Sequence, residues 1–226
     1  MSSFLKALKS QVGRKVLSSL TGFGLIIYIM LHLAGNLTIF GGPHAFNLYA
    51  HGLHNLGWFL HALEIILAIF IVLHAYIGIS VWLKRQKSRP KGYKKYQSKG
   101  KGSHQNWASK TMMYTGLIIL AFIVWHLLQF RFGHPGTTMA HGKQVEDLKA
   151  LVIAAFHKPW IAFAYVFAMI ALGFHLSHGL WSAFTSLSMK RRKLSKFIYG
   201  FGFFFAVIIA AGFIIIPMYI FFAGGV

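Results

Sequence analysis

The chain contains no cysteine. Disulfides, iron–sulfur clusters and thiolate-ligated haem are therefore excluded within it, and any metal or cofactor has to be held by His or Met. Acids are almost missing as well: Glu64, Glu146 and Asp147 stand against 23 Lys and Arg. Such an imbalance ordinarily raises the question of a nucleic-acid partner. Here the positives gather in three short segments separated by long uncharged stretches, which is how loops kept on the cytoplasmic side of a membrane are built. No nucleic acid is expected as a partner.

What the chain has in surplus is apolar surface, 56% of 226 residues, against about 45–50% in an ordinary soluble domain. Five runs, approximately 16–40, 58–83, 111–130, 160–187 and 197–222, are long enough to cross a hydrocarbon core of about 30 Å, which takes roughly 20 helical residues. The runs are continuous rather than alternating, and every backbone group has to be paired inside lipid, so helices are the spanning form and a barrel is ruled out. The expected fold is all-α, a single integral-membrane domain over residues 1–226 with five transmembrane helices. The basic segment 1–15 precedes a run too long for a signal-peptide core and without a clear small-residue cleavage site, so it reads as leading into a retained first span.

Nineteen of the 23 positives fall before the first span, between the second and third, or between the fourth and fifth; only Arg131, Lys143, Lys149 and Lys158 lie on the other side. That places the N-terminus in the cytoplasm and the C-terminus outside, as an odd number of spans requires. The inner loop 85–109, rich in Lys, Gly, Ser and Tyr, is either a solvated tether or a docking surface for an acidic partner. On the outer side, 145–156 reads as a short interfacial helix.

Of 13 histidines, eight (His44, His51, His54, His61, His104, His134, His141 and His157) fall in loops or near helix ends. His32, His74, His126, His175 and His178 lie deep within spans, where ionisable side chains are expensive and point to function. A single such histidine is often an interhelical hydrogen bond; histidines on four successive spans call for more. His32 is 17 residues beyond Lys15 and His126 is 16 beyond Lys110, which puts both roughly 24–26 Å from the inner surface at about 1.5 Å per residue. They can face each other in the outer half. His74 follows Trp58 by 16 residues and His175 follows Trp160 by 15, each Trp being an interfacial anchor, so a second couple falls in the inner half. Measured from Lys190 instead, His178 takes the place of His175, and depth alone leaves both open.

The surroundings repeat. Thr21-Gly22 precedes His32, and Thr115-Gly116 precedes His126, with ten residues from glycine to histidine in each case. His74 and His175 are each followed four residues later by a glycine, Gly78 and Gly179. A glycine at that spacing clears the helix face for a flat macrocycle, or else marks close helix packing. Two irons with bis-imidazole ligation at different depths suit one-electron transfer, having no open position. Zinc is less suited, since no carboxylate or thiolate joins either couple.

These segments (MLHLAGN at His32, HALEIILAIFIVLHAYIG through Glu64 and His74, IVWHLLQF at His126 and GFHLSHGLWS at His175) resemble the cytochrome b membrane anchor of succinate dehydrogenases and fumarate reductases, in its single-chain, five-helix, dihaem form. The resemblance covers most of the chain. It implies two b-type haems, an outer one on His32 and His126 and an inner one on His74 and His175, and it selects His175 over His178. It further implies a flavoprotein and an iron–sulfur subunit on the cytoplasmic face of a bacterial inner membrane. Electrons would pass through both haems to a quinone, such as menaquinone, or back towards fumarate. With no nucleotide or flavin motif in this chain, dicarboxylate chemistry is expected to reside in the partners.

Quinone reduction takes up protons. Glu64, the one acid within a span, with His61 and His51 near the outer end, are the candidate relay; the plainer alternative is a Glu64 carboxylate paired with His61. Arg14 and Arg85 for the inner haem, and Arg131 for the outer, are candidates for the propionates. Trp125, beside His126, is a candidate to pack on haem, and Pro217 to kink the histidine-free fifth span. The competing readings are the b-type cytochrome of a hydrogenase or formate dehydrogenase, and a small transporter whose histidines carry protons or a metal.

Overall fold

The structure, a computed structural model, describes residues 10–88, 107–187 and 195–224. Lys6, Lys9, His104, most of the basic loop 85–109 and the cluster Lys190 to Lys193 lie outside the described residues.

Among the described residues, five helices are long and apolar enough to cross a membrane. They are α1 (Gln11–Leu37, extended by a 3-10 turn at Thr38–Phe40), α3 (Trp58–Ser88), α4 (Trp107–His126), α6 (Pro159–Ser186) and α7 (Ser195–Ala223). Each starts or stops a few residues away from its apolar run, because polar capping turns belong to the helix and not to the hydrophobic pattern. The Ser10 hydroxyl accepts from the Gly13 N–H at 3.0 Å and opens α1. Pro159 sits in the first turn of α6, where its missing N–H costs nothing.

The bundle is tightest between α6 and α7. Small residues on α6 (Ala162, Ala168, Ala171 and Ala183) are buried and let neighbouring backbones approach. One core cluster, with Leu33, Met169, Leu172 and Ile209, lies midway along the bundle; another, with Ile39, Phe156, Tyr165 and Ile220, lies nearer one end. Helix α3 is the loosest member, with Ile77 its single buried residue.

That end carries a cap whose detail composition did not foretell. A short helix α2 (Ala45–His54) is followed, after α4, by a two-stranded antiparallel hairpin, β1 (Thr137–Ala140) and β2 (Lys143–Glu146). The hairpin turns on His141 and Gly142, both at positive φ (50° and 74°), the backbone form that a two-residue hairpin loop demands. The interfacial helix expected at 145–156 is therefore shorter: Val145 and Glu146 are in the strand, and α5 runs over Leu148–Phe156. Asp147 starts it, its carboxylate accepting from Ala150 N–H at 3.1 Å. Asn47, 2% exposed, pins the cap by donating to Asp147 Oδ1 (2.9 Å) and accepting from Lys149 N–H (2.8 Å). The other end carries Arg14, Lys15, Lys84 and Arg85 and is called the basic end below.

Candidate functional site: two histidine couples inside the bundle

The helices bring together His32 with His126, ring centroids 5.8 Å apart, and His74 with His175, 6.3 Å apart. His178 joins neither couple; it meets Trp181 at 5.6 Å, and its Nδ1 is buried without a hydrogen-bond partner.

The couple nearer the basic end is seated by a repeated device. Each ring comes from one span and its seat from the span before it, α1 for His74 and α4 for His175. His74 Nδ1 lies 3.1 Å from the Ser18 carbonyl oxygen and 3.4 Å from Thr21 Oγ1. The Thr21 hydroxyl spends its hydrogen on the carbonyls of Leu17 and Ser18 (2.9 and 3.1 Å), so towards the ring it can only accept. On α4, Thr115 likewise donates to the carbonyls of Thr111 and Met112 (3.2 and 3.1 Å) and stands 3.3 Å from His175 Nδ1. Both rings thus carry their hydrogen on Nδ1, leaving Nε2 a bare lone pair. Gly22 and Gly116 complete the seats, since a Cβ at either would meet the ring at Cε1, 3.2 Å for His74 and 3.3 Å for His175.

These contacts give the Thr-Gly repeat a role that spacing alone did not: it serves the rings of the neighbouring helices rather than the histidine ten residues on. The i+4 glycines behave differently. A Cβ at Gly78 would meet nothing within 4 Å, and one at Gly179 only the Met112 methyl at 3.6 Å, so close helix packing is not what Gly78 provides.

The other couple is held by unlike parts. His126 Nδ1 is 3.1 Å from the Tyr165 hydroxyl, which in turn donates to Gln129 Oε1 at 3.0 Å. Immediately after His126 the helix widens into a π turn, Leu127–Arg131, which carries Gln129; such turns recur at functional sites. His32 stacks on Tyr28 (5.4 Å) and has the Asn36 amide along its edge, 3.3 Å from Nδ1 and 3.4 Å from Nε2. Trp125 stacks on Trp160 at 5.9 Å and meets Tyr165 edge-on at 5.1 Å, so its packing is with aromatic side chains of α6.

At the capped end, Glu64 is not the uncompensated acid that its place in a span suggests. Arg131 grips both carboxylate oxygens, at 2.9 and 3.1 Å, while His61 lies 3.2 Å away. A paired guanidinium and carboxylate neutralise each other where lone charges are costly. Two of the five Arg131 N–H groups are thus spent on Glu64. A cleft of about 220 Å³ beside them is lined by His54, Leu60, His61 and Arg131. His51 is not in that cleft; it lines a neighbouring one of about 360 Å³ with His54, Asn47 and Glu146. Arg14 and Arg85 sit in the end turns of α1 and α3 at the basic end.

Fold and site together define a multi-pass, all-α membrane protein with two interior histidine couples stacked along its axis. The chain is 28% identical, over 158 residues making up 69% of each protein, to the succinate dehydrogenase cytochrome b558 subunit of Bacillus subtilis (strain 168). That similarity supports the family resemblance carried by the histidine segments. No protein-family model and no solved structure matches the chain.

Proposed function

We propose that this chain is the dihaem cytochrome b anchor of a succinate:quinone oxidoreductase, with iron held by His32 and His126 in one haem and by His74 and His175 in the other. The observation that carries the reading is the seating of the His74–His175 couple. Two imidazoles whose Nδ1 hydrogens are both spent on backbone and threonine oxygens have only Nε2 lone pairs left, and two lone pairs need a Lewis acid between them. Metal–imidazole bonds of about 2 Å, plus about 1 Å from nitrogen to ring centre, separate such centroids by roughly 6 Å, in line with the observed 5.8 and 6.3 Å. Among the described residues no group of three or more His, Cys, Asp or Glu comes together. A metal at either couple therefore draws two ligands from the chain and brings the rest with it, as an iron porphyrin does.

A haem so ligated supplies one-electron transfer, with no coordination position left for substrate. The chain's own part is to fix ring tautomers and orientations, to exclude water with the apolar helices, and to hold protons near the capped end. With the N-terminus in the cytoplasm, the basic end faces the flavoprotein and iron–sulfur subunits, and the capped end faces outward, where menaquinone or another quinone is reduced. His61 and Glu64, joined at 3.2 Å beside a cleft, are the proton relay there, and His51 feeds them through His54, which lines both clefts. Arg14 and Arg85 are placed for the inner propionates. Arg131 serves the outer site through its grip on Glu64.

Purified protein reduced with dithionite is expected to show b-type bands and about two haems per chain; a colourless preparation favours the transporter reading. Co-purification of a flavoprotein and an iron–sulfur subunit, rather than hydrogenase or formate dehydrogenase subunits, tests the assembly. Glu64→Gln is expected to keep both haems while quinone reduction falls at least about tenfold, the lower range of what a positioned proton donor contributes being nearer a hundredfold. Undiminished quinone reduction removes Glu64 from the relay.

A further inference from the structure

Tyr165 is buried, 6% exposed, in the second turn of α6. Four aromatic rings stand edge-on around it: Phe122 at 4.8 Å, Phe156 at 4.9 Å, Trp125 at 5.1 Å and Phe130 at 6.0 Å. Phenol hydroxyls in such surroundings need a partner, and this one has two, His126 Nδ1 at 3.1 Å and Gln129 Oε1 at 3.0 Å. A phenol has one hydrogen. Given to Gln129, it leaves the Tyr165 oxygen as the acceptor for the hydrogen on His126 Nδ1.

The chain of bonds therefore runs one way, from imidazole to phenol to amide. We propose that Tyr165, polarised by Gln129 in the π turn, is a positioning residue for the His126 iron, fixing the ring's tautomer and setting that iron's reduction potential. The inference rests on the haem reading given above. An acceptor on the distal N–H of a ligating imidazole raises the electron density at the ligating nitrogen and favours the oxidised metal. The two couples are tuned by different parts: carbonyl and threonine oxygens for His74 and His175, a phenol for His126. Each can then be adjusted without the other.

Tyr165→Phe keeps the ring and its packing and deletes only the acceptor. In a potentiometric titration of the purified protein, resolved into two haem components, it is expected to raise the midpoint of the His32–His126 haem and leave the other where it was. Gln129→Leu, which removes the polarising amide, is expected to move the same midpoint the same way by a smaller amount. Thr115→Val, on the same helix as His126, is expected to leave it alone. Loss of that haem alone in Tyr165→Phe, with the other retained, supports the same role. Two unshifted midpoints, or two midpoints shifted equally, overturn the inference while the haem reading stands; wild-type protein without haem overturns the reading itself.

Discussion

Replacing His74 or His175 with alanine is expected to leave purified protein with one haem in place of two, and His32→Ala or His126→Ala to remove the other. Among the described residues no second histidine is placed to substitute: His178 belongs to neither couple and meets Trp181 instead. His178→Ala is therefore expected to retain both haems. In the His74 and His175 variants the opposite imidazole keeps its seat on the threonine of the preceding span. Single-histidine retention of a low-affinity, high-spin haem is a graded version of the same result. Haem quantitation with spectra at both oxidation states checks it. Loss of a haem in His178→Ala, with both kept in His175→Ala, reverses the assignment.

Gly22→Val and Gly116→Val are expected to cost the haem on His74 and His175, although each glycine shares its helix with a ligand of the other haem. A Cβ at Gly22 already stands 3.2 Å from the His74 ring, and one at Gly116 stands 3.3 Å from that of His175. Such approaches are tight for a methyl, and the branched methyls of valine fill the seat. The ring then swings off the oxygens that hold Nδ1, at a cost of about 1–3 kcal/mol for the stranded N–H and about 10–100-fold in metal affinity. The same spectra report it, the His32–His126 haem serving as internal control. Loss of that control haem in Gly22→Val shows that the seat works along its own helix and contradicts the packing described here.

The spans were legible because length and apolarity are nearly sufficient inside lipid, where the backbone has to close its own hydrogen bonds. The His32–His126 couple was legible because helical rise converts spacing into depth, the two counting alike from the basic end; for the other couple depth left His175 and His178 open, and the family resemblance selected His175. What failed to show was whatever depends on sideways neighbours. The Thr-Gly repeat is plain in sequence, yet only packing reveals that Thr21 serves His74 and Thr115 serves His175. Tyr165 carries no motif, Gln129 lies in the quoted segment IVWHLLQF without a role assigned to it, and no composition announces the π turn. The hairpin had a signal, His141-Gly142 between two four-residue extended runs, and so did the true start of α5, with Asp147 as its cap. The bond from Arg131 to Glu64 stayed hidden for the same reason: the two lie 67 residues apart in the chain, whereas His61, also a neighbour of Glu64, is three residues away.

Helices α1 and α4 each hold a member of one couple and the seat of the other, ten residues apart, about 15 Å at helical rise. On the function proposed above, the gap between the two haems is consequently a length of continuous hydrogen-bonded rod rather than a distance between separately packed parts. A thinner or thicker bilayer can lean these rods without stretching them, so the spacing between the two couples stays constant while the lipid around the protein changes.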